Sequence, residues 1–568
     1  MYTLRPSRHF TEPVLIFLLC LVTFFMHNGV LQPDIMESRN IITAREMVAD
    51  GSWLEPTMNA EPRLEKPPLP TWFVAVTLLT GTDSLPLQRG MAAAAATLLV
   101  FYFYVFAHRF LRMNAYLATL VFVTSYNVVL TGRTVNWDIF CHAFMMAGIF
   151  HLARAFKARA DLHRTQFKHF TWAGIWLGLS WMSKGPVSFY ALLLPFLPAW
   201  FLTMKTPLRG HRRGLLWAIL LAVVVGGWWF AYILLYASDT VGAVVQKETV
   251  AWVNHNARPF WYYWQFFLES GVWSLLLLTS LIAPLCYAVA GEKGKNRLQA
   301  WGLRLRSLDR AYAMPALWMV LSLFLLSCMP EKKPRYLFPL LIPAAYVMGY
   351  QLQRWIDVFG ELGSKHRRER VLFRVNSWLI TAVILILPVA TWIFLYEKGY
   401  INIWGEVGVA LFCLAVTAWL VRAIRGLRVR RVVYGVVILF LSVEAFGMPL
   451  VDKLFMNQER HSIATVNARP EVKALPCYHG ASDPLRIELV YVMGRPIRPL
   501  EVTNTDSLRA AAPCLLVLAR PLSDYLSEEA LQQFNVEDLG RFDDNPRPKE
   551  NKRRYDEVFC SHLYVVKK

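Results

Sequence analysis

Apolar runs of about 20 residues recur along this chain, separated by short polar stretches, the pattern of helices that cross a bilayer. They predict thirteen spans, at approximately 13–31, 88–108, 115–132, 138–153, 171–184, 187–204, 215–236, 271–290, 312–329, 337–353, 375–396, 402–421 and 432–451. The segment 69–81, LPTWFVAVTLLTG, is also apolar but covers only about 13 residues, short of the roughly 17 that a spanning helix needs. Counting it as a span would move every later basic loop to the opposite side. It therefore reads as a juxtamembrane or re-entrant helix. The apolar run within residues 1–30 is too long for a typical signal-peptide core, and no small-residue cleavage site follows it. It reads as the first span.

Composition agrees: 55% of the 568 residues are hydrophobic, 21 are Trp, and the mean hydropathy is positive. The fold class is an α-helical polytopic membrane protein. A net charge of +20 would also suit a nucleic-acid binder. The basic residues, however, fall in short clusters between spans, and no basic stripe is interleaved with aromatics on a soluble domain. They set orientation instead. Every second connection is basic: Arg109 and Arg112; Arg154, Lys157, Arg159, Arg164 and Lys168; Lys205, Arg209, Arg212 and Arg213; then Lys293 to Arg310, Lys365 to Arg374, and Arg422 to Arg431. By the positive-inside rule these loops and the N-terminus, with Arg5 and Arg8, are cytoplasmic, and the C-terminus lies outside.

Five polar segments then share the outer face: the loop 32–87, TGRTVNWD (131–138), WMSKGP (181–186), the loop 237–269, and CMPEKKPRYLFP (328–339). The first is the most unusual, placing Asp34, Glu37, Arg39, Arg45, Glu46, Glu65 and Lys66 beside a membrane surface. A loop of that length without order of its own is uncommon unless it is functional. Arg133, Asp138 and Lys184 sit at outer span ends, where each alone would read as a snorkelling or capping residue. Five such segments on one face point instead to a site.

The sequence divides into 1–451, with the spans, and 452–568, a soluble tail long enough for one small α/β domain that caps or shields the outer face. Within the tail the pattern predicts a helix near 526–535 and strands at 486–493, 514–519 and 561–566. Cys477, Cys514 and Cys560 permit one disulfide and one free thiol there, with the pairing open, and no zinc-binding spacing occurs.

Glu-Lys-Pro-Pro-Leu at 65–69, REMVADGSWLEP at 45–56, Asp138 opening the fourth span and Ser-Lys-Gly at 183–185 resemble the GT-C glycosyltransferases that use polyprenyl-phosphate sugars. The similarity is strongest to the bacterial branch containing the lipid A aminoarabinose transferase, with the protein O-mannosyltransferases further off. It covers about the first 340 residues, including the thirteen-span plan. The resemblance implies a bacterial inner-membrane enzyme with its active site at the periplasmic face, moving a sugar from a polyprenyl-phosphate donor to lipid A or a protein. Glu65 would be the acid of a Glu-Lys pair that in relatives can hold a divalent metal; Lys66, Lys184 and Arg258 would meet the donor phosphate. Asp138 would be the acid of the second outer loop, Tyr336 the tyrosine near the lipid phosphate, and Arg39 the arginine after the first-loop acids. One departure stands out. The family has adjacent Asp-Glu with the aspartate three residues before that arginine, and here Met36 occupies that place. Either Asp34 reaches the site through a rearranged turn or Glu37 takes over its work, leaving the catalytic base open between them.

The chemistry is consistent with such a donor. Departure of a phosphate monoester develops negative charge, which fixed lysines and arginines stabilise as it forms. Attack from the opposite side inverts the anomeric carbon; a hydroxyl acceptor would give its proton to Asp34, Glu37 or Asp138. Two rival classes remain: a flippase or transporter of lipid-linked sugars, for which Glu444 deep in a span is thin support, and an O-antigen ligase or polymerase.

Overall fold

The computed structural model describes residues 8–111, 113–158, 163–207, 210–237, 242, 257–289, 308–361, 366–545 and 555–568. Most of the outer loop 237–256 and of the basic segment 290–307 lies outside them, as does Lys365.

Helices occupy all thirteen predicted segments, but not all in spanning form. Among the described residues eight helices are long and apolar enough to cross a membrane, and nine if Ala115–Val123 (α5) and Tyr126–Gly132 (α6), bent by 69°, form one span. The count of thirteen is not reached, for two physical reasons. The helices at Thr11–Phe25 and Phe189–Met204 are short, while His163–Lys184 (α8) and Leu341–Glu361 carry polar turns such as HRTQFKH and QLQRWID. The molecule is a multi-pass membrane protein. The segment after Pro67 and Pro68 forms a helix only over Leu69–Leu78 (α3), about 15 Å long at 1.5 Å per residue, too short to span.

The chain forms two compact units. One comprises 1–28, 65–69 and 86–448; the other comprises 29–64, 70–85 and 449–568. In the first, helix packing relies on close approach. A side chain at Gly148 of Trp137–Lys157 (α7) would strike Leu177 of α8, and one at Gly178 would strike Val225 of Arg212–Tyr236. Around Phe103 of Leu85–Phe110 (α4) the core is aromatic, with Phe122 and Tyr346 stacked at 4.4 and 4.1 Å.

The second unit joins the first outer loop to the tail. The loop is ordered: Asp34 caps a helix over Ile35–Asp50 (α2), accepting from the Glu37 amide at 2.8 Å, and Gly51 ends it at φ 71°. Strands Thr57–Met58 (β1) and Glu61–Pro62 (β2) form a hairpin with Asn59 and Ala60 at positive φ. The left-handed Ala60 is held by the Glu46 carboxylate, which accepts from the amides of Asn59 (2.7 Å) and Ala60 (3.2 Å). The tail builds a five-stranded sheet from Cys477–Gly480 (β3), Ile497–Leu500 (β4), Cys514–Leu518 (β5), Asn535–Asp543 (β6) and Cys560–Lys567 (β7), in the order β4-β3-β5-β7-β6. Its first three strands are parallel and the pairs β5–β7 and β6–β7 antiparallel. Ile42 of α2 lies in the same core as Ile463, Val490, Leu515 and Leu563.

Two tail elements differ from the pattern-based expectation. RIELVYVM is a helix, Ile487–Met493, because Leu489, Val490 and Met493 are its buried positions, a helical rather than alternating spacing, and Gly494 ends it at φ 75°. The helix near 526–535 shrinks to Glu528–Leu531, since the residues from Asn535 enter β6. Cys477, Cys514 and Cys560 are all buried and unbridged.

Candidate active site

Three turns of the membrane unit converge. In the first, Asn136 caps α7 by accepting from the Asp138 amide at 3.0 Å, which fixes Asp138 in the first helical turn, buried. In the second, Lys184 is the last residue of α8, where a cation complements the helix dipole, and Gly185 turns the chain away at φ 69°. Lys184 Nζ donates to Asp138 Oδ1, with both side chains more than nine-tenths buried. His142 Nε2 stands 3.9 Å from the same oxygen, one turn along α7.

The third turn is the link 328–340, whose prolines restrict it to a tight 3-10 turn over Pro334–Leu340. It presents the Tyr336 ring, with Lys184 Nζ 5.5 Å, Arg335 Cζ 5.6 Å and Lys333 Nζ 6.0 Å from the centroid. The Tyr336 hydroxyl donates to Glu331 Oε2 at 3.3 Å, and Lys333 pairs with Glu331. Burial, reinforced by the Glu331 charge, pushes the Tyr336 hydroxyl up to about 12, so it remains a donor at neutral pH. Buried Lys332 donates to the carbonyls of Arg258 (3.0 Å) and Met329, and burial pulls its ammonium below the ordinary lysine range. Arg258 is tied to this link by its own amide, which donates to Pro330 at 3.2 Å, while its exposed guanidinium lies over Tyr262.

Among the described residues, Lys184, Lys332, Lys333 and Arg335 thus stand against the carboxylates Asp138 and Glu331. The surplus is positive, and such a place attracts a phosphate.

The expected residues divide as follows. Asp138, Lys184 and Tyr336 come together directly, and Arg258 joins them through the backbone. Glu65 and Lys66 are half-buried at a bend of the same compact unit, just before Pro67 and Pro68. Asp34, Glu37 and Arg39 belong to the other unit, with Glu37 fully buried and Arg39 partly so. Among the described residues no three His, Cys, Asp or Glu side chains gather in a metal-binding group, at Glu65 or elsewhere. Lys332, Lys333, Arg335 and Glu331 were missed as site residues. Their signal was the density of charge in the outer link EKKPR. Glu444, the deep carboxylate, is paired: Arg133 donates to it at 2.7 Å.

Fold and turns together define a multi-pass helical membrane protein with a basic cluster at its span ends. The comparisons sharpen that class. The family model described as dolichyl-phosphate-mannose-protein mannosyltransferase matches residues 65–229, from Glu65 through Asp138 and Lys184. The chain is 26% identical over 366 residues to an undecaprenyl phosphate-alpha-4-amino-4-deoxy-L-arabinose arabinosyl transferase of Pseudomonas fluorescens, covering 61% of this chain and 58% of that protein. It therefore spans little more than half of that relative. A protein of the same name from Pseudomonas savastanoi pv. phaseolicola is 23% identical over 72% of each chain. The solved structure of ArnT from Cupriavidus metallidurans bound to undecaprenyl phosphate superposes with a TM-score of 0.62 at 14% identity, covering 97% of each chain. The fold is the one the sequence motifs implied.

Proposed function

We propose that this protein is an inverting glycosyltransferase that moves a sugar from a polyprenyl-phosphate donor to lipid A or a protein at the periplasmic face of the bacterial inner membrane. The N-terminus is cytoplasmic and the tail periplasmic in this reading. The observation that carries it is the cluster of Lys184, Lys333 and Arg335 around the Tyr336 ring, a positive pocket at span ends in a fold shared with ArnT. A phosphate monoester leaving there gains charge where cations are already fixed, so little reorganisation is needed. Lys66 joins the donor-phosphate group, with Arg258 at its rim.

Asp138 is already engaged by Lys184, and a carboxylate stabilised by an ammonium is a weak proton acceptor. Its role in this reading is to hold Lys184 in place. The acceptor's proton falls to Glu37, because Asp34 uses Oδ1 to cap α2. Glu65 orients Lys66.

The test is transfer of labelled sugar by purified protein from a defined polyprenyl-phosphate donor, with mass spectrometry of lipid A and envelope glycoproteins with and without the gene. Loss of one sugar from one acceptor supports the proposal. Movement of the intact donor across vesicles without transfer would favour a flippase instead.

A further inference from the structure

We propose that Arg133 is a positioning residue for this reaction, a tie that holds the turn carrying Asp138 to the first and last membrane helices at once. The inference rests on the reading of Lys184 as a donor-phosphate group that Asp138 holds in place. Arg133 is 5% exposed and ends α6, five residues before Asp138. Its Nη1 donates to the Thr23 carbonyl at 2.6 Å and to Glu444 Oε2 at 2.7 Å, and its Nη2 to the Met26 carbonyl at 2.6 Å. Thr23 and Met26 lie at the C-terminal end of the first helix, a π-turn over Leu21–Phe25. Glu444 sits in a second π-turn, Val443–Gly447, of the last span, and is equally buried. Both partners are thus irregular turns, the kind that free carbonyls and re-aim side chains within a helix.

The connection from Arg133 to the site is continuous. The Arg133 amide donates to Leu130, and the Asn136 amide to Thr134 at 2.9 Å. The Asn136 side chain donates to Thr134 Oγ1 at 2.8 Å and accepts from the Asp138 amide at 3.0 Å. Val135 is fully buried between them, and a side chain at Gly132 would strike Phe24 of the first helix, so the turn has little room to shift. The guanidinium thus fixes a turn whose next element begins with the Lys184 counter-ion. Neighbouring Arg89 donates to the Asn28 carbonyl at 2.6 Å, continuing the fastening of that first-helix end.

A tie of this kind differs from plain stabilisation in a measurable way. A buried ion pair replaced by apolar side chains of similar volume commonly keeps or gains stability, whereas the direction in which it pulls a turn is lost. The experiment uses full-length protein in vesicles with a polyprenyl-phosphate sugar donor, comparing the Arg133→Met, Glu444→Leu double variant, Arg133→Lys and Lys184→Ala with the wild type. For the double variant we expect an unchanged or higher melting temperature, a kcat lowered about tenfold or more, and a donor KM within about twofold, because a displaced Asp138 misplaces Lys184 without removing it. Arg133→Lys keeps the charge opposite Glu444 but loses the paired carbonyl bonds, and should show the same split more weakly. Wild-type kcat in either folded variant overturns the proposal, as does a loss of activity that only follows a lowered melting temperature. Undiminished transfer by Lys184→Ala would instead remove the donor-phosphate reading itself.

Discussion

A buried ammonium in contact with a buried carboxylate is more costly to halve than to remove, and the Lys184–Asp138 pair shows what that means for its variants. Lys184→Ala and Lys66→Ala should each lower transfer by about a hundredfold, roughly 3 kcal/mol of lost charge stabilisation, and Lys184→Ala, which strands Asp138, should also melt lower; steady-state rates per folded protein on a defined donor check this. Glu37→Gln should lose most activity while Asp34→Asn keeps most of it. An amide still caps α2, but neither takes a proton. Equal activity of both with wild type would leave the acceptor without need of a base. Tyr336 offers a third check. Its hydroxyl is raised from 10.0 to about 12, so the stability linked to it is complete below pH 10.0 and lost as pH rises towards 12. Tyr336→Phe should flatten that alkaline decline in a melting series across this range. At this scale the sequence was informative where charge met a span end, as at Asp138 and Lys184. At Lys333 and Arg335 it offered only the density of charge in EKKPR, because their meaning depends on a proline-bound turn folding them onto one ring.

Elements tell a different story. The spans were legible because about 20 apolar residues admit few other fates, and helices indeed occupy all thirteen segments. Among the described residues eight or nine of them are long and apolar throughout, and the others are short or carry polar ends. Helix α2 was hidden for the opposite reason. It buries Glu37, Ser38, Asn40, Thr43 and Glu46 beside Ile41 and Ile42, and so has no apolar stripe to read. Topology belongs here too: cysteines introduced at positions 60 and 500 should react with a membrane-impermeant thiol reagent from outside, and those at 212, 368 and 428 only after permeabilisation. A protected position 500 would reverse every outer-face assignment.

For the molecule as a whole, the tail and the first outer loop share one hydrophobic core, although Arg45 and the Tyr491 carbonyl it binds at 2.6 Å are 446 positions apart. Deleting 452–568 strips Ile42 of that core. Limited proteolysis of the truncated protein should therefore cut within 35–50, with transfer abolished, whereas the intact protein resists there. No pattern in either segment alone could reveal this, because each supplies only part of the buried surface. The same feature orders events during synthesis. The ribosome completes α2 long before it reaches the strands that cover it, and contacts this distant in sequence close last. A half-made chain then holds α2 without the strands that bury Ile42. Such a chain is open to proteases at α2 until β3 to β7 have been made, so the tail decides when the first loop becomes resistant.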